Sequence, residues 1–155
     1  MRKVSVSRAV ILSPDRAAAL WTDVRRWPLF IEGFHHVVEK DDSWPGHGAK
    51  LVWQSVPGGR GMVNEKVTSS GGDHLSTRLI EESLTGVQTV TFHPAEDGTS
   101  VVELALEYEL TPTSPWRQGP VGRLADVLFI RRALRDSLAR TLRRFATEAA
   151  EESAL

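Results

Sequence analysis

Apolar and polar residues alternate from residue 3 to residue 12 (KVSVSRAVIL), and the run ends on β-branched residues. That pattern predicts an opening strand. Ser13-Pro14 follows, and Ser caps a helix start while Pro suits the first helical position. A first helix is predicted to about residue 25, with Ala17, Leu20, Trp21 and Val24 sharing one face. Trp27-Pro28 interrupts it, because the residue before a proline disfavours the α region. Leu29, Phe30 and Ile31 form a short apolar segment closed by Gly33.

From residue 34 to 110 the period changes. Short β-rich runs are separated by turn clusters at 41–48, 57–61, 69–73, 84–86 and 94–99. Six sequential strands joined as hairpins are predicted. The last, at 101–110, alternates most cleanly. Glu103, Glu107 and Glu109 fall on one face, and Val102, Leu104, Leu106, Tyr108 and Leu110 on the other. Such a strand has one wet face and one buried face.

Residues 111–119 form a loop rich in Pro, Ser and Thr. Pro120 can open a helix that continues to about Glu151, with Val127, Leu134, Leu138, Leu142 and Phe145 as its apolar stripe. The fold class is therefore α+β: a curved seven-stranded antiparallel sheet, one or two short helices after its first strand, and a long C-terminal helix. A sheet that curls needs something inside its curve, and this helix is the one element large enough. It does not fill the whole concavity, so an internal cavity is expected between helix and sheet.

The chain has 155 residues, which suits one domain spanning 1–155. Apolar residues make up 41% and charged residues 25%, as in an ordinary globular protein. Cysteine is absent, which removes disulfides, thiolate metal sites and cysteine catalysis. No apolar run approaches the roughly 20 residues of a membrane span, and residues 1–10 alternate rather than forming a leader's apolar core. A cytoplasmic protein without stable membrane insertion is expected. The net charge of −1 conceals eight Arg and two Asp between residues 117 and 144.

Several of these segments together resemble the START-like, or SRPBCC, superfamily, and within it the polyketide cyclase/dehydrase and lipid-transport group. The opening strand with Ser13-Pro14 is similar to the group's start. The segment from Asp23 through Trp27-Pro28 to Phe30 is similar to its D-x-x-x-W-P-x-F element. Gly98-Thr99-Ser100-Val101 resembles its G-T-x-V turn, and the helix bearing Leu134, Leu138 and Leu142 its closing helix. The resemblance implies a helix-grip fold with a ligand cavity. Its members include aromatase/cyclases, quinone- and lipid-binding proteins and hormone receptors, so the fold leaves function open. The cyclases offer a basic residue from the middle strands to a polyketide oxygen, and Arg78 and Lys66 are the candidates here.

Candidate site residues follow from strand register. Tyr108 lies on the apolar face of its strand, where its hydroxyl either orients a ligand or bonds to backbone. Glu65 keeps the register of Val63 and Val67. If that face points inward, burial raises its pKa and suits it to proton transfer; otherwise it sits at a wet edge. Arg78 alternates with Ile80, and Gln88 with Val90 and Phe92. Either could anchor the polar end of a ligand, or Arg78 could pair with Glu81, Glu82 or Glu103 on the surface. Tyr108, Arg78 and Glu65 are the catalytic candidates. Trp27, Phe30, Trp53, Gln88, Phe92 and Leu106 are the candidate ligand-binding walls. Trp116 could gate the pocket from its loop.

Other chemistry is disfavoured. His35 and His36 are adjacent, so in a strand they should point to opposite faces. His47, His74 and His93 fall in or beside turns, and no metal site is expected. The glycine-rich stretch 57–61 lacks a phosphate loop's G-K-[ST] ending and reads as a hairpin turn. No nucleophile elbow occurs and the Ser, His and Asp spacing suggests no triad. The arginines of the last helix could bind nucleic acid or an anionic membrane, or simply form a solvated face toward an acidic sheet. The expected partner is a small hydrophobic ligand, polyketide or aromatic in character, with no cofactor and no nucleic acid; a homodimer is left open. Cyclisation or dehydration is the expected chemistry if the protein is an enzyme, and a non-enzymatic lipid or quinone carrier is the alternative.

Overall fold

The computed structural model describes residues 1–111 and 129–155. Seven strands form one antiparallel sheet: β1 (Arg2–Val10), β2 (Phe34–Lys40), β3 (Lys50–Ser55), β4 (Met62–Ser70), β5 (His74–Ile80), β6 (Leu84–Pro94) and β7 (Ser100–Leu110). Their order is β1-β7-β6-β5-β4-β3-β2, so β2 to β7 run as a meander and β1 returns beside β7. Helix α1 (Pro14–Thr22) and a 3-10 turn (Val24–Leu29) follow β1. A long helix, α2 (Arg131–Ser153), closes the chain. The predicted α+β helix-grip architecture is the one observed. The predicted helix start at Pro120, the stripe position Val127 and the loop with Trp116 lie outside the described residues.

Local chemistry explains the elements. The Ser13 hydroxyl accepts the Arg16 N–H at 3.4 Å, Pro14 occupies the first turn and Asp15 faces the positive end of α1. The helix stops at Thr22, earlier than the apolar pattern suggests, because Asp23 takes extended backbone and caps the 3-10 turn instead. Two indoles then satisfy carbonyls at the end of α1. Trp27 Nε1 donates to Trp21 O at 2.7 Å, and Trp44 Nε1 donates to Thr22 O at 3.0 Å.

Burial alternates along β5 and β7. Val102, Leu104, Leu106 and Tyr108 face inward on β7, with Glu103, Glu107 and Glu109 exposed outside. The inner face is covered by α1 and α2. Phe145 of α2 meets Trp21 and Phe30, with ring centroids 5.1–5.4 Å apart within this trio. Leu142 and Ala149 are buried beside it. The expected turn at 84–86 is displaced: Leu84–Pro94 is strand, and the turn is the preceding 81–83. Gly86 owes its identity to packing, since a Cβ there would lie 2.1 Å from the Glu107 carbonyl oxygen of β7.

Candidate functional site

Between sheet and α2 lie two adjoining hollows. The outer chamber holds about 270 Å³ and is walled mainly by Leu84, Leu106 and Leu110 from the sheet and Ile130, Leu134 and Leu138 from the α2 side. The inner recess is small, about 30 Å³, and brings Glu65, Trp53, Gln88, Glu32 and Thr141 together. Arg60, Gln88, Ser137 and Leu138 border both, so they form the neck between an apolar chamber and a polar end.

Glu65 is buried in the recess at 4% exposure, flanked on β4 by the inward Val63 and Val67. Its neighbours come from both adjacent strands. Trp53 Nε1 of β3 donates to Glu65 Oε2 at 2.7 Å, and the Thr77 hydroxyl of β5 donates to Oε1 at 2.9 Å. Burial raises the Glu65 pKa above the ordinary glutamate range, although both donors and the Arg60 charge pull it down. A carboxyl in this setting holds its proton at higher pH than an exposed one and can serve as a general acid.

Arg60 projects from the hairpin between β3 and β4. Its Nε donates to Glu81 Oε2 at 2.7 Å and its Nη2 lies 2.6 Å from the same oxygen. The guanidinium carbon stands 5.0 Å from the centre of the Trp53 ring, a cation–π arrangement. The planar fork is thus fixed at the neck. Three of its five N–H groups remain beyond the two aimed at Glu81. On the opposite wall, Glu32 accepts from Ser137 and Arg140 of α2, and its own N–H donates to Thr141 Oγ1 at 3.1 Å. Burial tends to raise the Glu32 pKa, but the bonds from Arg140 and Ser137 and the charges of Arg140 and Arg144 outweigh it and hold the group low. Two carboxyl groups bordering one recess are therefore tuned in opposite directions.

The expected residues divide clearly. Glu65, Trp53 and Trp27 line the recess, Leu106 the chamber, and Gln88 both. Phe30 and Phe92 are buried, yet neither is among the described lining of the two hollows. Tyr108 is fully buried on the inward face and likewise is not in that lining. Arg78 is exposed on the outer face, across from Lys66, because Leu75, Thr77 and Leu79 are the inward residues of β5. It cannot serve the cavity, and Lys66 is exposed on the same side. Ile80, which suggested an inward row, is itself 50% exposed.

Residues that strand register did not single out are Arg60, Glu81, Glu32, Ser137 and Thr141. Arg60 was hidden in a glycine-rich turn. Ser137 and Thr141 did carry a signal, since they fall at helical spacing among Leu134, Leu138 and Leu142.

Two smaller groupings lie away from the hollows. His35 and His36 do not point apart: a bulge in β2 brings their Nδ1 atoms to 2.6 Å. Ser69, His74 and Asp73 do meet despite their unpromising spacing. Ser69 Oγ is 2.7 Å from His74 Nε2, and His74 Nδ1 is 2.8 Å from Asp73 Oδ1. Ser69 and Asp73 are exposed at a hairpin tip that neither hollow reaches, so the chain of bonds ties the turn. Among the described residues no group of three His, Asp or Glu is placed to hold a metal ion.

The family model described as polyketide cyclase / dehydrase and lipid transport matches residues 1–150. The chain belongs to that family. Comparison with curated proteins found no match. Among solved structures, this family member is similar to the di-domain ARO/CYC StfQ of the steffimycin biosynthetic pathway, at 16% identity and a TM-score of 0.75, covering 99% of this chain and 52% of StfQ. It is also similar to norcoclaurine synthase of Thalictrum flavum in complex with a transition-state analogue, at 16% identity and a TM-score of 0.69, covering 98% and 96% of the two chains. TTHA0849 of Thermus thermophilus matches at 19% identity and a TM-score of 0.70, covering 98% and 99%. Likeness at these identities establishes the shared fold. The family supports ligand binding or cyclisation in general.

Proposed function

We propose that this chain binds a small, mostly apolar molecule carrying an oxygen function, polyketide or aromatic in character, and promotes its cyclisation or dehydration. The observation that carries this reading is a buried carboxyl group, Glu65, held by Trp53 and Thr77 in the recess that adjoins an apolar chamber. The apolar body of the ligand occupies the chamber, and its oxygen reaches the neck, where Arg60 and Gln88 offer N–H groups. In an aldol-type closure the enol carbon attacks the carbonyl carbon and the π pair moves onto oxygen. Glu65 gives its proton to that oxygen, and the enol O–H proton returns to the Glu65 carboxylate. The chamber adds proximity by holding the chain folded. A carrier without chemistry is the second reading, favoured by the apolar walls and by the breadth of the family.

Native mass spectrometry of the purified protein, together with naphthol fluorescence, tests the binding. A co-purifying apolar compound or saturable naphthol binding is expected in the wild type. Leu134→Trp, which fills the chamber, abolishes both. Glu65→Gln retains the ligand but leaves it unchanged on incubation, whereas wild type converts it. No bound compound and no naphthol binding in the wild type would overturn the reading. Equal conversion by Glu65→Gln would leave only the carrier.

A further inference from the structure

We infer that the outward side of the first turns of α2, with Phe129 beside it, is a docking surface for an anionic lipid bilayer, placed where the cavity can take its ligand from the membrane. The inference rests on the ligand-binding reading above. Ile130, Leu134 and Leu138 wall the outer chamber, while Arg131, Arg132 and Arg135, interleaved with them in sequence, are exposed. The same stretch of helix thus forms the chamber wall on one side and a cationic surface on the other.

These arginines are not absorbed by the acidic sheet. Glu103, Glu107 and Glu109 project from the outer face, and α2 packs against the inner one. Among the described residues, Arg131, Arg132 and Arg135 make no ion pair, whereas Arg140 is held by Glu32. Asp136 is the one acidic residue between 131 and 144. Among the described residues from 129 to 144, three unpaired arginines thus stand against the single Asp136, and such a surplus of cations favours an external anionic surface.

The choice of a bilayer over nucleic acid rests on the apolar neighbours. Phe129 is 70% exposed at the start of the helix. Val56 is 40% exposed on the hairpin whose Gly58 and Gly59 line the same chamber. An exposed aromatic beside clustered cations suits the boundary between headgroups and acyl chains, and gains nothing from a phosphate backbone. The chain as a whole carries −1, unlike a basic nucleic-acid-binding domain. No helix among the described residues is long and apolar enough to cross a membrane, so the association is with the surface.

Sedimentation of the full chain with sucrose-loaded vesicles is the test. Binding is expected to phosphatidylcholine vesicles containing about a third phosphatidylglycerol, absent with phosphatidylcholine alone, and lost between about 50 mM and about 500 mM salt. The triple variant R131E/R132E/R135E should bind roughly a hundredfold more weakly while keeping naphthol binding. Phe129→Ala should weaken binding several-fold, and Leu134→Trp should lose naphthol yet keep the vesicles. Failure of the wild type to bind anionic vesicles at low salt, or undiminished binding by the triple variant, overturns the inference. Tighter binding to duplex DNA than to vesicles overturns it too and gives the face to nucleic acid. Vesicle binding with no naphthol binding by the wild type would instead overturn the cavity reading and leave the docking surface standing.

Discussion

Glu65 has neutral donors as its direct partners rather than a cation. Trp53 and Thr77 can serve the group in either protonation state, and the nearest guanidinium, Arg60, is committed to Glu81. Desolvation therefore dominates, and the folded protein binds the Glu65 proton more tightly than the unfolded chain does. The sign follows from linkage. Stability from this group is fully present below the unfolded glutamate pKa of about 4.3 and is lost as the pH rises through the higher folded value. Glu65→Gln removes that dependence while preserving shape. Its carbonyl can face the Trp53 N–H, and its amide can donate to the Thr77 hydroxyl. The difference in melting temperature, variant minus wild type, should be small in acid and grow as the pH rises above the unfolded glutamate value of about 4.3, read from thermal unfolding by circular dichroism. A difference that stays flat with pH would mean that Glu65 titrates normally.

Strands were easiest to read where one face is wet and the other buried, and hardest where a neighbouring element overrides the local pattern. In β7 the alternation from Val102 to Tyr108 is complete, and its sidedness was legible at once. In β5 the apolar Ile80 obscures it, so local register leaves Arg78 open between cavity and surface, and the structure puts it on the exposed face. In β2 a bulge cancels the two-residue period at His35 and His36. Of the residues that line the hollows, Trp53, Gln88, Trp27 and Leu106 were among the candidates, and Glu65 takes the inward one of the two positions its register left open. Arg60, Glu32 and Ser137 were not among them, because their partners lie on elements remote in sequence. Gly86 is the sharpest case: a glycine that resembles a turn sits inside β6, where β7 comes too close for any side chain. Gly86→Ala must part the β6–β7 ladder beside Tyr108, its cross-strand partner. A loss of about 1–3 kcal/mol is expected from chemical denaturation. A neutral effect would mean that the strands separate freely there.

At the scale of the whole molecule, α2 walls both hollows, so its seating on the sheet shapes them. Near the chain end, Arg26 reaches Glu152 at 3.1 Å and Glu148 at 3.4 Å. Nearer the cavity, Glu32 accepts from Ser137 and Arg140 and donates its N–H to Thr141, three residues on neighbouring turns of α2. That second tie crosses the wall of the inner recess, so it joins the helix seat to the site. It also titrates oppositely to Glu65. Glu32 is held below its ordinary pKa despite partial burial, so its contribution is present above the unfolded value and is lost as the pH falls through the lower folded one. Glu32→Gln should therefore cost about 1–2 kcal/mol at neutral pH, a modest figure because Arg140 is partly solvated. The cost should shrink toward zero in acid, where wild-type Glu32 is also neutral. Urea unfolding of both proteins at neutral and strongly acidic pH measures it. No cost at either pH would show that α2 is seated there by packing of Leu142 and Phe145, with the carboxylate incidental; a cost that persists undiminished in acid would show that the ionised form of Glu32 is not what ties it.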